Sequence, residues 1–454
     1  MKKVFMTVFT TFLVLFALVG CKAKELTIWV GVESQQFYQE KMNEYVKDYK
    51  EKVGKDFPVK ISVKAVDTGT AAGVFLNDVQ VGGDIITVAH DNLGKLIEGS
   101  SAIAPIENEA LIAQIEADNH DVYVDAIKGS VQGEEYYFGV PHIGQALVLY
   151  YNTEYITEAQ VDSWEGILQA AKTANKQAFS ITGTDGFNNS FLLLAVDEET
   201  KKSSLKIYED GKLENSYGTG ADVLSFIKYG QKVLFGSTNG GKRPTESGWE
   251  VELSEEISIS VIGGAWHYKA AQAALGSKLG VSILPSFTLT EDTVYDVANN
   301  GELVGKKFRS GTFADVKIFV KKKNSEYSEY LDDILLFLSS KEIQEESFVA
   351  ANNLPSYKNA TTEFEAFDES KATTPEQKLA LKLASSQIDM FAYGMPQPFG
   401  KHPNFNFYYY SKNGPERLMD ILDNARGTGN FNTDAAILAE MKIIENIWKT
   451  GKSE

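Results

Sequence analysis

Residues 26–54 read LTIWVGVESQQFYQEKMNEYVKDYKEKVG, an apolar strand pattern that leads directly into an amphipathic helix pattern. Tyr38, Met42 and Tyr45 recur at helical spacing, and Gly54 is a typical helix stop. This stretch is therefore predicted to form a buried strand followed by a helix of several turns.

Two more apolar segments follow this strand and helix. Residues 59–66, VKISVKAV, alternate as a half-buried strand does, and residues 84–89, DIITVA, form an apolar run after another helical stretch. The order strand, helix, strand, helix, strand predicts a parallel sheet with helices on its faces. Ligands of such sheets bind outside the carboxyl ends of the strands.

A second set of strand and helix patterns occupies the middle of the chain. Its strand patterns are ALVLYYN at 146–152, AFSIT at 178–182, ISISVIGG at 257–264 and LGVSILP at 279–285. A further strand, DVKIFVKK at 315–322, precedes a region that is mostly helical to the end. The fold class predicted is α/β, with each of two lobes a mostly parallel sheet flanked by helices.

The N-terminus has the pattern of a secretory signal over residues 1–20, with Lys2 and Lys3 ahead of an apolar stretch. The stretch is short for a membrane span. It leads into LVGC, which resembles the lipobox of bacterial lipoproteins, and Cys21 is the only cysteine of 454 residues. We expect cleavage before Cys21, lipidation of its thiol, and a domain tethered to the outer face of the cell membrane.

Composition narrows the function classes. With no second cysteine the exported domain has no disulfide, and 43% hydrophobic residues can supply a core instead. Loss of Lys2 and Lys3 leaves 42 basic against 62 acidic residues, a net charge of −20. Nucleic acid and anionic lipid are poor partners for that surface.

Several ordered segments together resemble the maltose and maltodextrin-binding family of bacterial extracellular solute-binding proteins, the receptors of ABC sugar importers. They are LTIWVG, GGDIITVAHDNLGKLIEG, YYFGVPHIGQALVLYYNTEYI, ISISVIGGAWHYKA, LGVSILPSF and ANNLPSY. The resemblance spans nearly the whole mature chain. It implies a two-lobe periplasmic-binding-protein-like fold, an oligosaccharide ligand held in the cleft between the lobes, and permease subunits in the membrane as partners.

In that family the chain crosses between lobes more than once, so each lobe is discontinuous. The resemblance implies a first lobe of residues 22–142 and 285–342, and a second lobe of residues 143–284 and 343–454. We expect a monomer without a cofactor that traps its ligand by lobe closure.

The stretch VIGGAWHY at 261–268 holds the leading candidate for sugar contact. Paired glycines let the backbone turn tightly, and the family stacks a tryptophan from this turn on the sugar face, which indicates Trp266. Tyr268 matches a second family aromatic. The alternative for Trp266 is core packing, the usual place of large rings. His267 has no metal or nucleophile partner in the sequence and is predicted to begin the next helix.

Polar candidates follow other strand patterns. Asp91 matches a ligand-contacting aspartate of the family and could equally cap the helix that starts near Asn92. Gln145 stands where maltose binders carry a glutamate, although an amide makes weaker bonds than a carboxylate. Val88 stands where close relatives have a ring, so one stacking surface is expected to be missing.

Four more candidate residues match the family pattern less closely. Asp185 and Phe187 match a glutamate and tyrosine pair of the family, with a plain turn as the alternative. Glu33 falls where the family has an aspartate and lysine pair, but GVESQQ contains no lysine. In the aromatic run at 407–410 the spacing is altered, and Tyr409 is the candidate for stacking.

Other function classes stay open at this stage. A secreted glycoside hydrolase needs two carboxylates facing one bond, but Asp91 and Asp185 are expected on opposite lobes. The five histidines at 90, 120, 142, 267 and 402 lack metal-ligand spacing. The same fold could also bind a polyamine or ferric iron, which the acidic surface permits.

Overall fold

A computed structural model describes residues 25–98, 102–182, 185–205, 208–209, 212–213, 218–243, 248–396, 413–424 and 429–452. Its helices, in chain order, are α1 Gln35–Val53, α2 Ala71–Asn77, α3 Leu93–Glu98, α4 Glu109–Asp118, α5 Asp121–Ala126, α6 Glu158–Val161, α7 Trp164–Ala174, α8 Gly186–Asn189, α9 Ala221–Tyr229, α10 Gly248–Ser254, α11 Tyr268–Leu275, α12 Ser328–Leu338, α13 Lys341–Ala351, α14 Ala360–Glu363, α15 Pro375–Met390, α16 Asn413–Leu422 and α17 Asp434–Thr450. The signal segment and Cys21 lie outside the described residues.

The strands, in chain order, are β1 Glu25–Val30, β2 Lys60–Ala65, β3 Ile85–Ala89, β4 Ile103–Ala104, β5 Lys128–Val131, β6 Glu134–Tyr137, β7 Val140–Gln145, β8 Val148–Asn152, β9 Phe179–Ile181, β10 Val196–Asp197, β11 Tyr208–Glu209, β12 Lys212–Leu213, β13 Gly241–Lys242, β14 Ser260–Gly263, β15 Leu279–Ser282, β16 Ser286–Thr288, β17 Lys307–Arg309, β18 Thr312–Lys322 and β19 Gly394–Pro396.

The first lobe is built on a sheet of order β19-β18-β3-β1-β2, with β4 and β7 also paired to β18. The predicted parallel arrangement of β1, β2 and β3 is confirmed. The late strand β18 joins β3 antiparallel, so the sheet is mixed. Helix α1 ends at Gly54 with a left-handed φ of 74°, as the sequence pattern predicted.

The second lobe is built on a sheet of order β13-β9-β14-β8-β15. Strands β9, β13 and β14 run parallel, whereas β8 and β15 are antiparallel to their neighbours. Each lobe has its own apolar core, with Trp164 and Phe226 buried in the second and Ile28 and Phe319 in the first. A protein with two separate cores can change the angle between its lobes without breaking either one.

Two segments bear on where the chain crosses between the lobes. Strands β16 and β17 pair with each other and with β10, and Phe287 and Phe308 pack in the second core. Residues 341–357 lie against the first lobe, where Asn353 donates to Ser34 at 3.0 Å. We therefore propose that the chain returns to the first lobe near Gly311, not at 285, and leaves it after Tyr357, not at 343.

The crossing segments are joined to each other. The backbone N–H of Leu147, between β7 and β8, donates to Thr312 Oγ1 at 3.0 Å. Ala146 N–H donates to Gln387 Oε1 of α15 at 3.4 Å. None of the helices described between residues 25 and 452 combines the length and the apolar character needed to cross a bilayer.

Candidate functional site

Three turns of the first lobe line one wall of a cavity of about 680 Å³. Glu33 follows β1, Asp67 follows β2, and Asp91 follows β3. Because parallel strands bring their carboxyl ends to the same edge, three residues far apart in sequence meet there. The sequence-based expectation that a site lies outside the carboxyl ends of these strands agrees with this position.

The second lobe provides the opposite wall in the same way. Asp185 and Phe187 follow β9, while Trp266 and Tyr268 follow β14, its parallel neighbour. The cavity thus lies between the strand ends of two sheets.

Seven of the eight residues predicted to contact a ligand line this one cavity: Glu33, Asp91, Gln145, Asp185, Phe187, Trp266 and Tyr268. Tyr409 lies outside the described residues. Their contact with a ligand stays a prediction, but the shared location is what that prediction requires.

Three buried ionisable residues, His90, Asp91 and Asp315, lie close together in the first-lobe wall. His90 Nδ1 lies 2.5 Å from Asp315 Oδ1, and both side chains are nearly inaccessible to solvent. Asp91, also buried, lies beside this pair. Burial, and secondarily the charge of Asp315, raises the pKa of Asp91 to about 7. Asp91 can therefore gain or lose a proton near neutral pH.

Gln145 lies next to these buried residues. It is the last residue of β7 and pairs in register with Asp315 of β18. Its side chain is mostly buried and lines the cavity. An amide beside a carboxylate provides a donor as well as acceptors, the combination that a hydroxyl group needs.

Glu33 has a basic partner that the sequence around it did not reveal. Lys317 Nζ lies 3.5 Å from Glu33 Oε1, and the lysine comes from β18, 284 positions further along the chain. Both residues line the cavity. An acid and lysine pair therefore exists at this wall, although GVESQQ itself contains no lysine.

Asp185 lies both in a turn at the start of a helix and at the cavity. It is the N-cap of α8 and accepts from Asn188 N–H at 2.8 Å, and it also lines the cavity. Asn188 Nδ2 donates to its second carboxylate oxygen at 2.8 Å. These bonds fix the direction of the carboxylate.

Trp266 is the exposed ring of the cleft. Its side chain is 46% exposed, whereas the other four tryptophans of the chain are buried, none more than 8% exposed. The alternative of core packing is therefore not what the structure contains. Phe187 lies behind it, with ring centroids 5.5 Å apart, and is largely buried. Phe187 thus both packs against the tryptophan and lines the cavity.

Tyr268 begins α11 and is half-buried against the apolar cluster of that helix. Val88, in contrast, is fully buried and pairs with Ile318 across the sheet. Its side chain gives the cavity no stacking surface, in line with the expectation from the sequence.

Other cavity residues were not predicted from the sequence to contact a ligand. Asp315, Lys317 and His267 line the cavity, as do Asn352 and Asn353 after α13. Within the described ranges, no group of three or more His, Cys, Asp or Glu side chains is arranged to hold a metal ion.

The chain matches one protein family over most of its length. Residues 44–375 match the family model described as bacterial extracellular solute-binding protein. A curated relative is the galactooligosaccharide-binding protein of Bacillus subtilis (strain 168), 20% identical over 414 residues, which cover 83% of this chain and 86% of that protein.

Solved structures share the fold. A maltodextrin-binding protein of L. casei BL23, solved without ligand, is 18% identical and superposes with a TM-score of 0.71, covering 94% of this chain and all of the other. The maltose-binding periplasmic protein of Listeria monocytogenes, solved with maltose, is 16% identical with a TM-score of 0.66, covering 93% of this chain and 97% of the other. The predicted two-lobe fold is confirmed by these similarities.

Proposed function

The chain belongs to the family of bacterial extracellular solute-binding proteins, and on that premise we propose that it captures an oligosaccharide for a membrane ABC importer. The first candidate ligand is an α-glucan of the maltose or maltooligosaccharide type. The protein acts by lobe closure over the ligand and delivery to permease subunits, and it catalyses no reaction.

The observation that carries this proposal is the exposed Trp266 facing a polar wall across the cleft. Sugars present apolar C–H faces and rings of hydroxyl groups, so a site needs a flat aromatic surface together with paired donors and acceptors. Trp266 offers the first, and Asp91, Gln145 and Asp315 offer the second. The cavity volume of about 680 Å³ lies within the range of about 300–1,000 Å³ usual for small-molecule sites.

The named relatives support an oligosaccharide and leave two kinds of sugar to compare. Two solved structures belong to maltose and maltodextrin binders, and the curated relative is a galactooligosaccharide-binding protein. Because identity is at most 20%, both α-glucans and galactosides belong in a ligand screen.

The anchoring part of the proposal rests on the sequence. A signal of about twenty residues and the lone Cys21 support lipidation of the mature N-terminus and a tethered monomer outside the cell. A tether keeps the receptor near the importer whose permease it serves.

The alternatives have less support. The two carboxylates proposed for a hydrolase, Asp91 and Asp185, belong to opposite walls of the cleft, and the relatives are named as binding proteins. Polyamine binding draws on the acidic lining of the cleft, and iron binding on tyrosines that lie outside the described residues. Both serve as comparators in the test.

The test is a titration of intrinsic tryptophan fluorescence, to which the exposed Trp266 contributes together with the four buried tryptophans. Purified protein is titrated with maltotriose, a β-galactooligosaccharide, spermidine and ferric citrate. Saturation with an oligosaccharide and a flat response to the other two is the expected result. Saturation with spermidine or iron alone would replace the sugar proposal with the corresponding alternative.

A further inference from the structure

The backbone of Gly264 is held by hydrogen bonds at both its N–H and its carbonyl oxygen. The hydroxyl of Tyr150, on β8, donates to the Gly264 carbonyl oxygen at 2.9 Å. The Gly264 N–H donates to His267 Nδ1 at 3.3 Å. Tyr150 is fully buried, so water does not compete for the first of these bonds.

The indole of Trp266 packs directly on the backbone of Gly264. A Cβ added to Gly264 would come within 2.2 Å of two atoms of the Trp266 ring, which shows how closely the ring covers the backbone. The ring also meets Phe187 and His267, at centroid distances of 5.5 and 5.3 Å. The orientation of the Trp266 ring therefore depends on the position of the Gly264 backbone.

His267 is itself held by the core of the second lobe. Its ring meets Trp249 edge-on, with centroids 5.3 Å apart and planes at 75°, and Trp249 is buried. Burial lowers the pKa of His267 to about 4, so the imidazole is neutral at ordinary pH. With Nδ1 as acceptor, the proton is on Nε2.

We propose that Tyr150 and His267 are positioning residues: they fix the backbone of Gly264 and so orient the Trp266 ring toward the cleft. Their effect on sugar affinity rests on the proposed function. The orientation of Trp266 does not, because it can be measured in the protein without a ligand.

Three substitutions test the hydrogen bonds of Tyr150 and His267 to Gly264 one at a time. Tyr150→Phe removes one hydroxyl and leaves the ring. His267→Phe keeps a ring against Trp249 but has no acceptor for the Gly264 N–H. His267→Asn places its Oδ1 where Nδ1 was, so it restores the acceptor without the ring.

Tyr151→Phe is the matched control. Tyr151 is the next residue on the same strand and packs on the opposite face of the sheet, in the core of the second lobe. The control removes the same atom from the same residue type, away from Gly264.

Two measurements decide the proposal. Acrylamide quenching of tryptophan fluorescence, without ligand, reports how freely Trp266 is exposed, and calorimetry gives the affinity for maltotriose. Tyr150→Phe and His267→Phe are expected to increase quenching and weaken binding about threefold to tenfold, as loss of one buried hydrogen bond does. His267→Asn should recover most of the affinity, and Tyr151→Phe should match the wild type.

The outcomes distinguish this proposal from the function itself. Unchanged quenching in both Tyr150→Phe and His267→Phe, in variants whose thermal melting shows that they fold, would overturn the positioning role. If wild type binds no oligosaccharide while quenching still rises in the two variants, the proposed function fails and the positioning role stands.

Discussion

The imidazole of His90 lies 2.5 Å from the carboxylate of Asp315 and so connects the turn after β3 to the first half of β18. Asp315 and the neighbouring Asp91 are two buried carboxyl groups in the same wall of the cleft. Burial of Asp91, and secondarily the charge of Asp315, raises the pKa of Asp91.

This arrangement predicts a pH-dependent effect of Asp91→Asn on stability. The folded-state pKa of Asp91 is raised to about 7 from an unfolded value of 3.8, so the folded protein binds the proton more tightly. The stabilisation is complete below the unfolded pKa and is lost as pH rises through about 7. The variant has no such loss, so its stability relative to wild type should be greater at pH 8 than at pH 5, by about 2–3 kcal/mol.

Urea unfolding at the two pH values measures this difference. Asp292→Asn, at an exposed turn, is the control for removing one carboxylate from the protein. An effect of Asp91→Asn that is the same at pH 5 and pH 8 would show that Asp91 does not titrate in this range.

Gly264→Ala tests the contact between the backbone and the Trp266 ring. The added Cβ would occupy space held by the indole, so the ring must move and sugar affinity should fall by about tenfold. Gly73→Ala is the control, because a Cβ there meets nothing within 4 Å. Calorimetric titration with maltotriose compares the two, and equal affinities would contradict the close fit of the ring on Gly264.

Thr312→Val tests the bond between the two crossing segments. The Thr312 hydroxyl accepts from Leu147 N–H at 3.0 Å and donates to the Phe313 carbonyl at 2.9 Å. Valine leaves the buried Leu147 N–H without its acceptor, which should cost about 1–3 kcal/mol. Thr312→Ser keeps the hydroxyl and should stay near wild type in urea unfolding. A valine variant as stable as the serine variant would mean that the bond contributes little.

Cys21→Ser tests the anchor. In bacterial cells that process lipoproteins, the wild-type chain should be found in the membrane fraction, and its N-terminal peptide should carry acyl chains in mass spectrometry. The serine variant should be released from the membrane fraction. Equal release of both forms would contradict lipidation at Cys21.

Much of the fold followed from patterns within single segments. The strand and helix periods at 26–54 and 59–66 correspond to β1, α1 and β2. The pairing of β18 antiparallel to β3 could not be read in the same way, because β-strand pairing between distant segments depends on the whole fold and not on local period. The same limit applies to the lobe boundaries, for which we propose positions later than 285 and 343.

The site shows the same division. Residues at the ends of strands, such as Asp91 and Trp266, could be located because turn residues after an apolar run are visible in the sequence. Lys317 could not be assigned to Glu33, since only the sheet brings them together. His267 gave no signal either, because its acceptor role is toward the backbone of Gly264.

The central claim, that the cleft binds an oligosaccharide through Trp266, is tested most directly by calorimetric titration of wild type and Trp266→Ala with maltotriose and a β-galactooligosaccharide. We predict saturable binding of at least one sugar by wild type. The variant should bind it at least about tenfold more weakly, as loss of a buried aromatic contact implies, with little change in the free energy of unfolding. Equal sugar affinity of the two proteins, or no binding of either sugar by wild type, would contradict the claim.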